Sequence, residues 1–125
     1  MKILLTTLNS KYVHANLALK YLYTVVAGEY SDVEAREFTI NNDPHYVYGE
    51  ILRGGYDMVC FSCYIWNISW VMELVRDLPL VLPEVEIWLG GPEVSYDAAD
   101  VLQREPGVTG IMMGEGEETF LEVLK

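Results

Sequence analysis

A parallel α/β sandwich is predicted by three observations on this 125-residue chain. Short apolar runs recur at Ile3 to Thr7, Val33 to Ile40, Met58 to Tyr64, Val85 to Leu89 and Val108 to Met113, and a segment with helical apolar spacing follows each one. The third, fourth and fifth runs are apolar at both parities, as strands covered by helices on both faces and paired in parallel should be. The second alternates, with Glu34 and Arg36 opposite in parity to Val33 and Ala35, which suits an edge strand. Right-handed crossovers then favour the strand order 2-1-3-4-5 over a half-Rossmann order. The expected class is a flavodoxin-like, Rossmann-like three-layer sandwich around a five-stranded parallel sheet.

The helical segments follow from spacing and punctuation. After the first run, Ala15, Ala18, Leu22 and Val25, flanked by Leu17 and Tyr21, repeat at three and four residues and predict a helix over one sheet face. Asp43-Pro44 supplies a cap with proline at the first helical position, and Val47, Ile51 and Leu52 form a stripe ending near Gly54-Gly55. Asn67 is placed to cap a third helix through Ile68, Val71, Met72, Val75 and Leu78, with a stop expected at Pro79. Ser95 is placed to cap a fourth through Leu102, before Pro106-Gly107. From Glu117 to Lys125, acids in the first turn precede Phe120, Leu121 and Leu124. So short a helix without a stop signal leads us to expect that the natural chain continues, residues 1–125 being an amino-terminal module.

Composition sets the outer limits. Half of the residues are apolar, 51%, enough for one two-sided core and one domain. The longest apolar runs, such as Met58 to Cys63, fall far short of the roughly 20 residues that cross a bilayer. Met1 to Leu5 leads directly into a strand pattern with no secretory signal, so a cytoplasmic location is expected. Eight basic against nineteen acidic side chains give a charge of −11, which repels polyphosphate backbones. No nucleic acid or membrane partner is expected; a neutral or zwitterionic small molecule or a protein partner stays open. Cys60 and Cys63 form a C-x-x-C, but strand alternation sends them to opposite faces, and a buried strand pair is favoured over redox or metal chemistry.

In an open parallel sheet, ligands bind outside the carboxyl strand ends. The loops there read Leu8 to His14, Tyr64-Ile65-Trp66-Asn67, Gly90-Gly91-Pro92-Glu93 and Gly114-Glu115-Gly116-Glu117. Gly90-Gly91 removes two Cβ atoms, permitting either a tight turn or close approach of a ligand to the main chain. The glycines of Gly114 to Glu117 open a helix whose amides could receive a polar ligand group, although its acids could simply complement the helix dipole. Neither G-x-x-x-x-G-K-[ST] nor G-x-G-x-x-G follows the first strand, which disfavours ordinary nucleotide sites. The acidic cluster of a phospho-accepting receiver is also missing. Tyr12, Tyr64, Trp66 and Trp70 stand near the first and third strand ends, where they could pack on a planar cofactor or on another domain.

These loops, in this order, resemble the amino-terminal cobalamin-binding domain of radical S-adenosylmethionine (SAM) enzymes. The most specific parts are Leu89-Gly90-Gly91-Pro92-Glu93 and Gly114-Glu115-Gly116-Glu117-Glu118-Thr119-Phe120, with Phe61-Ser62-Cys63-Tyr64 between strand and loop. The resemblance implies a corrin over the carboxyl edge and a nucleotide tail in a slot between the first helix and the sheet. Ser62 would take the place of the family's tail-binding serine, a strand hydroxyl bonded to main chain being the alternative. Gly90 and Gly91, with Pro92 and Glu93, would take the place of the nucleotide loop. Asn9, Ser10 and Lys11, then Tyr64, then Gly114, Glu115 and Gly116 complete the cofactor-binding set that the resemblance implies.

One departure concerns cobalt. Where related carriers have D-x-H-x-x-G, this chain has Asn9-Ser10-Lys11-Tyr12-Val13-His14. The motif histidine is absent, Lys11 is a hydrated ammonium, and His14 at a helix start reads as a cap or surface imidazole, so no protein metal ligand is expected. The resemblance further implies that S-adenosylmethionine and a 4Fe-4S cluster belong to a downstream domain, since the chain holds two cysteines and no C-x-x-x-C-x-x-C. Alone it is not expected to catalyse. The competing readings are a module that lost its cofactor and docks a catalytic barrel, and a flavodoxin-like FMN carrier, which would need a Ser/Thr-rich loop after the first strand.

Overall fold

The computed structural model describes residues 2–9, 24, 32–63, 67–90 and 103–111. Strands β1 (Ile3–Asn9), β2 (Val33–Thr39), β3 (Met58–Ser62), β4 (Glu86–Gly90) and β5 (Gly110–Ile111) form one sheet in the order β2-β1-β3-β4-β5, with every adjacent pair parallel. The expected order holds, and the alternating second strand lies at an edge. Parallel pairing brings all five carboxyl ends to one rim.

Helix α1 (Pro44–Arg53) starts as its sequence dictates. Asp43 Oδ1 accepts the His45 N–H at 2.8 Å, and Pro44 sits in the first turn, where its missing donor has no intrahelical partner to lose. Val47 and Ile51, four residues apart, are buried. At the other end Gly55 adopts φ 64°, a left-handed conformation that suits glycine. A β-carbon at Gly54 would collide with the Tyr56 ring.

Helix α2 (Ile68–Val81) departs from expectation twice. Asn67 precedes its first turn, yet its side chain makes no capping bond and turns to the sheet instead. Pro79 does not stop the helix, which runs on to Val81. A proline in the last turn forfeits only one carbonyl's partner, that of Val75, and Leu82 still donates to Leu78 O at 2.9 Å. The turn before β5 packs against that position. A β-carbon at Gly107 would lie 2.8 Å from Val75 O and 3.0 Å from Pro79 Cγ.

The sheet has two buried faces. Leu4, Leu8, Phe38, Val59, Phe61, Ile87 and Leu89 pack against Val47 and Ile51 of α1 and Val71, Leu74, Val75 and Leu78 of α2. Ile3, Leu5, Thr7, Met58 and Cys60, of opposite parity, are buried on the face that neither α1 nor α2 covers. Cys60 and Cys63 form no disulfide and are buried on opposite faces. Burial first, then the Glu86 carboxylate, pushes the Cys60 thiol well above its ordinary range. The strand reading of the C-x-x-C therefore holds.

Of the expected first helix near 15–25 only Thr24, which is helical, is described; the Ser95 cap and the segment 117–125 lie outside the described residues. Gln103 and Arg104 are helical and the Pro106-Gly107 turn follows. No helix among the described residues is long and apolar enough to cross a membrane.

Candidate functional site

The strand ends on the carboxyl rim are tied together by polar side chains. β3 pairs with β4 so that Ser62 stands opposite Gly90, and the Cys63 N–H donates to Gly90 O at 2.7 Å. On the other side of β3, Thr7 donates its hydroxyl to Ser62 O at 2.8 Å. Asn67 Nδ2 then reaches Thr7 Oγ1 at 3.2 Å, Leu8 O at 3.0 Å and Ser62 O at 3.2 Å. Both Thr7 and Asn67 are fully buried. In a site of low dielectric such a set holds β1, β3 and the start of α2 in one register.

That arrangement consumes the Ser62 carbonyl and leaves its hydroxyl without a hydrogen bond to another described residue. Bonding of the hydroxyl to main chain, the alternative for this serine, is not observed among the described residues. Ser62 is half-buried, and its register partner Gly90 carries no side chain. Two residues below Gly90 on the same face stands Trp88, whose Nε1–H is buried with no hydrogen-bond partner. Among the described residues no group of three or more His, Cys, Asp or Glu is placed to hold a metal ion.

Of the twelve site residues expected from sequence, the structure describes Ser62, Gly90 and the backbone of Asn9, and all three stand on this rim as strand ends. Ser62 and Gly90 are brought into direct register. Ser10, Lys11, Tyr64, Gly91, Pro92, Glu93, Gly114, Glu115 and Gly116 lie outside the described residues, as do His14, Tyr12 and Trp66. Trp70 lies in the first turn of α2 and lines a cleft between the helices with Tyr48 of α1. Sequence reasoning missed Thr7, Asn67 as a strand tie, and Trp88. The signal for Thr7 was a hydroxyl inside an otherwise apolar strand.

A strand end without a side chain, beside a hydroxyl that bonds no other described residue, suits a ligand that brings its own acceptor. The comparison with known families decides its class: a model described as B12 binding domain matches residues 3–124. The chain belongs to the B12-binding domain family. This domain is 35% identical over 68 residues to the 2-(S-pantetheinyl)-carbapenam-3-carboxylate methyltransferase of Streptantibioticus cattleyicolor, covering 54% of the chain and 10% of that relative. It is 32% identical over 68 residues to the cobalamin-dependent radical SAM methyltransferase TokK of Streptomyces tokunonensis, with the same coverage. It is 36% identical over 63 residues, 49% of the chain and 12% of the relative, to the hopanoid C-3 methylase of Methylococcus capsulatus. The chain thus spans about a tenth of the length of these curated relatives.

Among solved structures, a cobalamin-binding protein from Desulfitobacterium hafniense superposes with a TM-score of 0.67 at 13% identity, over 98% of this chain and 58% of that one. That likeness is one of fold. Cobalamin is the cofactor of the B12-binding family, as the loops at 90–93 and 114–120 led us to expect. The described residues fit it: a neutral donor, Ser62 Oγ, stands beside Gly90, a strand end without a side chain.

Proposed function

We propose that this domain holds cobalamin over the carboxyl rim of its sheet and serves a longer cytoplasmic polypeptide that performs radical SAM methyl transfer. The observation that carries the reading is the pairing of Ser62 with Gly90 at the strand end, a hydroxyl that bonds no other described residue beside a position without a side chain. Membership of the B12-binding family supports it, as do the names of relatives that are several times longer. When bound, cobalamin would supply a cobalt centre able to carry a methyl group.

The chain's own residues bind and orient. Ser62 Oγ would hydrogen-bond the nucleotide tail, while Gly90 and, by the expectation from sequence, Gly91, Pro92 and Glu93 would let that tail approach the backbone. Asn9, Ser10 and Lys11, Tyr64, and Gly114, Glu115 and Gly116 are proposed for the remaining contacts. Thr7 and Asn67 position Ser62 by holding its carbonyl. S-adenosylmethionine and an iron-sulfur cluster are assigned to a downstream part of the polypeptide.

Equilibrium dialysis of the chain against hydroxocobalamin, read by visible absorption with FMN as control, tests the proposal. Retained corrin and unretained flavin are expected. Absence of retained corrin at high micromolar ligand would overturn it.

A further inference from the structure

Helix α2 carries two stripes. Val71, Leu74, Val75 and Leu78 are buried in the core against the sheet. A second stripe, Trp70, Glu73, Asp77 and Leu80, recurs at three and four residues and lines one side of a cleft of about 450 Å³, with Pro44, His45 and Tyr48 of α1 on the other side. Tyr48 ties the two sides by donating its hydroxyl to Asp77 O at 3.1 Å. From Trp70 to Leu80 the stripe runs about 15 Å, the length of a helix of roughly three turns.

This stripe is apolar at both ends and acidic in the middle. Leu80 is 80% exposed and Val81, which also lines the cleft, 55%. Glu73 and Asp77, one turn apart, stand between them and Trp70, and neither carboxylate has a hydrogen-bond or ion-pair partner among the described residues. The nearest cation in sequence, Arg76, is committed to Glu105 by contacts at 2.6 and 3.1 Å. No lysine or arginine lines the cleft.

The complement of such a line is a helix with apolar side chains at both ends of one face and lysine or arginine one turn apart between them. A second copy of this chain does not supply it. Two such stripes packed antiparallel about a twofold axis would set Glu73 against Asp77, and each chain brings a charge of −11. A groove with so few exposed anchors makes a small interface, which suits a transient partner. The catalytic part of the same polypeptide has to approach the carboxyl rim, whereas this cleft runs along the helix layer and shares no residue with the set proposed to hold cobalamin.

We propose that the cleft between α1 and α2 is a docking groove for a basic amphipathic helix of a separate protein. Trp70, Leu80 and Val81 supply the apolar contact. Glu73 and Asp77 select the partner, because exposed ion pairs contribute little affinity whereas an acidic helix would meet like charges.

The test titrates the isotope-labelled chain with an alanine-based helical peptide of about 14 residues, bearing leucines at both ends of one face and two lysines one turn apart between them, and with its counterpart bearing glutamates instead. Amide resonances report both the fold and the place of binding. We expect the lysine peptide to shift resonances within 70–81 and to bind about tenfold more tightly than the glutamate peptide. Leu80→Ser should weaken both peptides, the E73Q/D77N double variant should abolish the preference, and Asp32→Asn, remote from the cleft, should change neither. Shifts scattered over the acidic surface, or an equal loss in Asp32→Asn, would overturn the proposal. So would hydroxyl-radical footprinting that finds Trp70 and Leu80 already covered in the polypeptide as made in the cell, since the occupant would then be its own. Cobalamin retention by the chain is read separately and is expected to be unchanged in all three variants.

Discussion

A carboxamide buried among three acceptors has two hydrogens to give, and Asn67 gives them to Thr7 Oγ1, Leu8 O and Ser62 O. Replacing it by alanine removes all three of these buried contacts and leaves Ser62 O to the Thr7 hydroxyl, and we expect Asn67→Ala to lose about 2–3 kcal/mol in urea unfolding. Asn67→Asp should lose more, because a carboxylate faces the same acceptors with no proton to offer. The second residue to test is Tyr56, whose hydroxyl donates to Glu34 Oε2 at 2.5 Å. Burial first, then the Glu34 hydrogen bond, pushes its phenol up to about 12. The protonated form is the one the fold prefers. Its contribution is thus complete below the unfolded-chain value near 10 and is lost as pH rises through about 12. Ultraviolet titration should find one of the nine tyrosines ionising that late, and Tyr56→Phe should remove it.

The elements meet most tightly where α2 passes Pro79 and the turn before β5 comes in. With Gly107 replaced by alanine, a methyl would press on the Val75 carbonyl, a backbone atom that cannot rotate away. Gly107→Ala should therefore lose about 1–3 kcal/mol in the same unfolding assay. At this scale the sequence was legible where one local signal sufficed. Asp43-Pro44 placed the start of α1, and the alternation of Glu34 and Arg36 placed β2 at an edge. It misled at Pro79, since the rule that proline ends a helix ignores how little the last turn has to lose. It misled again at Asn67, because a polar residue before an apolar stripe looks the same whether its side chain turns to its own helix or to neighbouring strands. The candidate site divides likewise. Ser62 and Gly90 could be found as strand ends. Thr7, 55 residues from Ser62, and Trp88, seated by a glycine in the next strand, depend on register, which no local pattern encodes.

For the whole molecule, five β-α periods and right-handed crossovers were enough to give the sheet order, because topology depends on sequence-wide repetition more than on any single residue. Two global responses follow. A surplus of eleven negative charges opposes compaction, so raising ionic strength from about 0.01 M to 0.15 M, which shortens the screening length from roughly 30 Å to 8 Å, should raise the thermal midpoint. Cobalamin at a hundred times its dissociation constant should stabilise the fold by about 2.7 kcal/mol, readable as an upward shift in the same melting curve.

Placing Cys60 and Cys63 on opposite sides of the sheet has a practical corollary. The two sulfurs cannot meet while the sheet is intact, and neither is open to a reagent in solution. Alkylation of the native chain should therefore proceed only as fast as the molecule opens, both thiols being modified together. The protein carries its own stopwatch for unfolding, and slower modification in the presence of a bound corrin would time the ligand's grip without any added probe.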